Sequence, residues 1–96
     1  TIGKCAFYFN SFKNIRVPFQ TKILGELAFS SCTCLKAVEV LSENVEIKNF
    51  CFFNCKSLML IAFPNSQRLS FTAEAYSMIP DDTAIFLLPG AMFYIS

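Results

Sequence analysis

Residues 2–7 of this chain return in pattern at 24–29 and again at 47–52: Ile2-Gly3-Lys4-Cys5-Ala6-Phe7, Leu24-Gly25-Glu26-Leu27-Ala28-Phe29 and Ile47-Lys48-Asn49-Phe50-Cys51-Phe52 each run from an aliphatic residue to a Phe. A second block follows each of these. Phe12-Lys13-Asn14-Ile15-Arg16-Val17, Leu35-Lys36-Ala37-Val38-Glu39-Val40 and Leu58-Met59-Leu60-Ile61-Ala62-Phe63 superpose with apolar residues at the first, fourth and sixth places. The second block recurs every 23 residues, while Phe7, Phe29 and Phe52 are spaced by 22 and then 23, because the first copy lacks one loop residue between Phe7 and Phe12. A period this short describes a unit too small to bury its own apolar face. Such units are stable only when stacked, each copy closing the core of the next.

Within each copy the ends of the second block alternate: Ile15 and Val17, Val38 and Val40, Ile61 and Phe63 are separated by single residues. This period of two predicts one short half-buried strand per copy, laid beside its equivalents about 4.8 Å apart. The linking pieces Ala28-Phe29-Ser30-Ser31-Cys32-Thr33-Cys34-Leu35 and Cys51-Phe52-Phe53-Asn54-Cys55-Lys56-Ser57-Leu58 predict a helical or 3₁₀ turn leading into that strand. With Pro18 and Pro64 after the strands, the pattern closely resembles the BspA-like branch of leucine-rich repeats, whose copies read Ile-Gly-x-x-Ala-Phe-x-x-Cys-x-x-Leu-x-x-Ile-x-Ile-Pro. The chain departs from it at Asn10, Phe12, Leu41 and Cys51. The resemblance implies a leucine-rich repeat solenoid, a β-rich right-handed superhelix of the α/β type.

The repeats divide the chain into copies at about 2–23, 24–46 and 47–68, followed by a degenerate copy and C-terminal cap at 69–96, all in a single domain 1–96. After Arg68 the register fades, and Pro80-Asp81-Asp82 marks a turn. Ile85-Phe86-Leu87-Leu88-Pro89-Gly90, followed by Tyr94, resembles the closing strand of BspA-type arrays. Thr1 opens in the middle of a pattern and no cap precedes Ile2, so the expectation is a piece of a longer array, or a partner over the first strand's edge.

Composition removes several functions. The formal charge is +1, which gives no field for holding phosphates, so nucleic acid is excluded as a partner. The most apolar stretch, Ala84 to Ile95, is interrupted by Pro89 and Gly90 and is too short to span a membrane, which predicts no insertion by this segment. The chain has no His, so neither a Ser-His-Asp nor a Cys-His set can form, and no enzyme and no cofactor are expected. Asp81-Asp82 reads as a solvated turn, and Gly3 and Gly25 recur with the repeat as spacing residues. Of the five cysteines, Cys32 and Cys55 share a column with Asn10, a place where a small side chain can bond to exposed backbone groups. Cys5 and Cys51 fall at core-facing or adjacent places, and Cys34 is off pattern. Core thiols are the expectation. A bridge from Cys32 to Cys55 is the alternative, and the spacings Cys32-x-Cys34 and Cys51-x-x-x-Cys55 are not those of a zinc knuckle, so no metal is expected.

Alternation points Asn14, Arg16, Pro18, Ala37, Glu39, Leu41, Leu60, Ala62 and Pro64 outward, and polar character falls towards the C-terminus. Leu60, Ala62, Phe86 and Leu88 therefore form an apolar outer strip, the expected partner-binding surface. The resemblance implies protein-protein recognition at the cell surface or outside the cell, as adhesion to host or matrix proteins. The alternative is an intracellular structural or scaffold subunit packed among assembly subunits, which free cysteines and balanced charge would suit.

Overall fold

The computed structural model describes residues 1–96 and shows a parallel β-solenoid with two four-stranded sheets. One sheet takes a strand from each coil: β1 (Asn14–Val17), β3 (Ala37–Val40), β5 (Leu60–Phe63) and β7 (Ala84–Leu87). The other is built from β2 (Ile23–Leu24), β4 (Asn44–Ile47), β6 (Arg68–Phe71) and β8 (Met92–Ile95). All pairings are parallel and in repeat register, so Ile15, Val38, Ile61 and Ile85 form one column and Val45, Leu69 and Phe93 another. Residues one period apart in sequence are thus neighbours in space.

The sequence pattern predicts one strand per coil; the structure has two. The second strands carry their own period of two. In Asn44-Val45-Glu46-Ile47 and Arg68-Leu69-Ser70-Phe71 the second and fourth residues are buried and the others face outward. The closing segment likewise holds two strands, with Gly90 at φ 84° in the turn between β7 and β8. The pattern that fades after Arg68 in sequence continues in space, because β6 pairs in register with both β4 and β8.

The third side of each coil is a run of tight turns instead of the predicted helical or 3₁₀ turn. Ala28, Ser30 and Cys32 donate N–H to the carbonyls of Gly25, Leu27 and Phe29 at 3.2, 3.1 and 3.3 Å. The intervening N–H groups of Leu27, Phe29 and Ser31 donate across to Asn49, Cys51 and Phe53 of the next coil at 3.2, 2.9 and 2.7 Å. Cys5, Phe7 and Phe9 do the same to Glu26, Ala28 and Ser30. Donors therefore alternate between holding their own coil and holding the following one. This geometry places Cys5, Leu27 and Phe50, and also Phe9, Ser31 and Asn54, at φ between 57° and 61°. An L-residue there costs roughly 1–2 kcal/mol, which the cross-coil bonds must offset.

Inside, Phe7, Phe29 and Phe52 stack at 5.5 Å between centroids and within 5° and 7° of parallel. Phe29 and Phe52 are fully buried, as are Phe63 and Phe71, in a continuous core of 19 residues. Each such ring contributes roughly 1.5–3 kcal/mol by leaving water. The turn ladder stops at the fourth coil, where a short helix α1 (Ala73–Ser77) takes its place, with the Thr72 hydroxyl accepting from the Ala75 N–H at 3.3 Å. A helix uses its own carbonyls internally and cannot receive the donors of the coil before it.

Candidate functional site

The outer face of the first sheet is graded along the solenoid axis. Register aligns Arg16, Glu39, Ala62 and Phe86 in one outward row and Asn14, Ala37, Leu60 and Ala84 in the next. At the N-terminal end Arg16 Nε donates to Glu39 Oε1 at 2.9 Å. With side chains 74% and 43% exposed, this pair cancels charge and adds less than about 1 kcal/mol. A shallow groove of about 380 Å³ runs between these rows and reaches Leu60 and Ala62.

Three of the four residues expected to bind a partner share this face. Leu60 is 37% exposed and Phe86 is 53% exposed, while half-buried Ala62 sits between them, paired directly with Phe86. Leu88 lies one residue beyond the end of β7 and is half-buried, so it borders the strip. The parallel sheet holds the backbones of Leu60 and Phe86 at fixed spacing, which suits a pair of apolar anchors.

Absent from the sequence expectations is a second depression, about 580 Å³, on the outer face of the other sheet. Lys22, Glu46, Arg68 and Tyr94 line it, and the Arg68 guanidinium lies 5.4 Å from the centre of the Tyr94 ring. Its signal was in the sequence as the polar places of Asn44-Val45-Glu46-Ile47 and Arg68-Leu69-Ser70-Phe71. This depression is larger, and its lining includes Lys22, Glu46, which pairs with Lys48 at 2.8 Å, and Arg68, which donates to the Tyr94 hydroxyl at 3.4 Å, whereas the first sheet leaves apolar side chains uncovered.

The cysteines fasten coils together. Cys32 Sγ donates to the Phe7 carbonyl at 3.1 Å and Cys55 Sγ to the Phe29 carbonyl at 3.0 Å, each reaching back to the preceding coil. Ser42 and Ser66 make the same backward bond to the Pro18 and Ser42 carbonyls at 3.4 and 2.6 Å, a second column of fasteners that the Phe-centred register does not reveal. All five thiols are free, so the structure has no Cys32 to Cys55 bridge. Burial pushes the Cys55 thiol up to about 12, raises Cys51 further and raises Cys32 as well. Burial thus favours the protonated form of all three, and in that form Cys32 and Cys55 donate to the carbonyls they cover. Cys5, expected at or beside the core, is exposed, as is Cys34. No three His, Cys, Asp or Glu side chains converge as a metal site, and no helix is long and apolar enough to cross a membrane.

The coils, with their Phe and Cys columns filled, have a counterpart among known families: the model described as BspA type Leucine rich repeat region (6 copies) matches residues 1–87. The chain belongs to the BspA-type leucine-rich repeat family. No curated protein and no solved structure matches it. Leucine-rich repeat solenoids are typically non-enzymatic scaffolds that mediate protein interactions, and this BspA-type chain has the same plan, a stiff core with an extended outer sheet available for contact.

Proposed function

We propose that this BspA-type solenoid recognises a protein partner through the apolar end of its first sheet, with Leu60 and Phe86 as anchors and Ala62 and Leu88 completing the contact. The observation that carries the reading is the in-register placement of exposed Phe86 beside Ala62, one row from exposed Leu60, on a face that turns polar only towards Arg16 and Glu39. Apolar rings held on a rigid surface and bordered by charge have the composition of an interface centre and its rim. In this reading residues 1–96 act as one recognition unit at the cell surface, adhering to a host or matrix protein. The three buried, unpaired thiols supply a specific argument for the second reading, an intracellular scaffold subunit, since reduced cysteines persist inside cells.

The test is binding of purified chain to immobilised extracellular-matrix proteins and to intact host cells. Leu60→Glu and Phe86→Glu should each reduce binding at least about tenfold, the loss expected at an interface anchor, with melting unchanged. Equal binding by the variants would remove the strip from the interface. Binding confined to intracellular assembly subunits would select the scaffold.

A further inference from the structure

The outer face of the second sheet carries cations that the molecule does not neutralise. Register sets Ile23, Glu46, Ser70 and Tyr94 in one outward row and Asn44, Arg68 and Met92 in the next. The depression of about 580 Å³ crosses the strands here, with Lys22 on the β2 side and Tyr94 on the β8 side. It opens on the flank of the solenoid. Coils stacked before or after these strands extend the edges of the sheet and leave its outer face open.

The molecule has two ion pairs, Arg16 with Glu39 on the first sheet and Lys48 with Glu46 on the second. Glu46, the acid that lines the depression, is therefore matched by Lys48, while exposed Lys22 and Arg68 have no carboxylate partner. Glu43 borders Lys22 in an adjoining depression and makes no ion pair with it. Arg68 is also held in place. Its Nη2 donates to the Tyr94 hydroxyl at 3.4 Å and its guanidinium lies 5.4 Å from the centre of the Tyr94 ring, which leaves most of its N–H donors free. A guanidinium steadied in this way presents a fork that fits the two oxygens of a carboxylate. Lys22 stands two strands from Arg68, about 10 Å at the spacing of a sheet, a distance that an extended chain covers in about three residues. Glu43 and Glu46 stand beside these cations, so a uniformly negative surface, such as a membrane or a nucleic-acid backbone, meets repulsion here. A peptide avoids it by setting single carboxylates on Arg68 and Lys22 with an apolar side chain near half-buried Ile23.

We propose that the second sheet binds an extended acidic segment of a partner protein laid across its strands, one carboxylate paired with Arg68 and another, about three residues away, with Lys22. Tyr94 is a positioning residue that aims Arg68. Asn44, on the strand between the two cations, offers its side-chain amide to the backbone of the segment. The contact uses a different sheet from Leu60 and Phe86, so it stands apart from the recognition function proposed above.

The test is fluorescence anisotropy of the 96-residue chain with a labelled peptide that carries glutamate at every third place among glycines and leucines, beside the same peptide with glutamine in place of glutamate. Expected is saturable binding of the glutamate peptide, at least about tenfold tighter than that of the glutamine peptide. Arg68→Gln and Lys22→Gln should each weaken it about tenfold, whereas Lys56→Gln, which lowers the net charge equally on the turn side, should leave it unchanged. Tyr94→Phe, which keeps the ring and removes the hydroxyl that accepts from Arg68, should weaken it about threefold. Glu46→Gln should tighten it, by removing an acid from the depression. Circular dichroism melts establish that each variant is folded. No saturable binding of the glutamate peptide, or an equal loss in Lys56→Gln and Arg68→Gln, would overturn the proposal. Binding of phosphatidylserine vesicles or of single-stranded DNA at least as tight as that of the peptide would assign the face to phosphates and overturn it too.

Discussion

The first coil and the last differ in how their rings pack and in what occupies their turn side. The first is an ordinary copy: its Phe7 ring lies parallel on Phe29 and its turn donors reach Glu26, Ala28 and Ser30. The last has abandoned the pattern on its turn side. There α1 replaces the ladder, and edge-to-face pairs join the stack: Phe71 meets Tyr76 at 79° and Phe63 at 81°, and Tyr76 meets Phe93 at 86°, while Phe71 still stacks on Phe93 at 5.5 Å and 24°. Parallel rings present identical faces upward and downward, so they invite another copy. Tyr76 of α1 sets itself crosswise to both members of the Phe71–Phe93 stack, and the Ser96 carbonyl accepts from the Ala73 N–H at 2.8 Å.

Truncating one ring at each boundary sharpens that contrast most. Phe71→Ala should cost roughly 3–5 kcal/mol in urea unfolding, because the ring is fully buried against Phe63, Tyr76 and Phe93. Phe7→Ala should cost less than about half as much, its outer face having no ring to lose. Equal losses would mean that the first coil is packed as firmly as the last. A smaller effect separates the two glycines of one column. Gly25→Ala forces a methyl against the backbone of Gly3 at 2.8 Å and should lower stability by about 1–3 kcal/mol, while Gly3→Ala should leave the melting temperature unchanged. Smallest is Thr72→Ala, which deletes the hydroxyl that accepts the Ala75 N–H and should cost about 1 kcal/mol. Its loss should loosen α1 in amide exchange and leave the turn ladder between the first two coils as protected as before.

Much of this architecture was legible because stacked columns leave identical marks one period apart. Phe7, Phe29 and Phe52 are read from spacing alone, and so are the inward residues of β1, β3 and β5. The second strand of each coil is masked in the sequence, although Val45 and Ile47, then Leu69 and Phe71, alternate clearly, because the copy boundary between Glu46 and Ile47 cuts Asn44–Ile47 in two. Positive φ at Leu27, Ser31 and Phe50 had no signal, since none is Gly or Asn; tertiary bonding between coils holds a conformation that local preference opposes. The outer row of Leu60, Ala62 and Phe86 followed from alternation once the strands were placed. The groove around Arg68 and Tyr94 required the second sheet, and was invisible without it.

The backward-reaching thiols give the protein a built-in record of its own breathing. Cys32 is sealed only while its hydrogen rests on the Phe7 carbonyl, and Cys55 only while it rests on that of Phe29. A slow alkylating reagent would label Cys5 and Cys34 at once, since both are exposed, and would then mark Cys32 and Cys55 at the rates at which successive windings part. Each hidden sulfur is thus a clock for a different joint, set by nothing more than which carbonyl it covers.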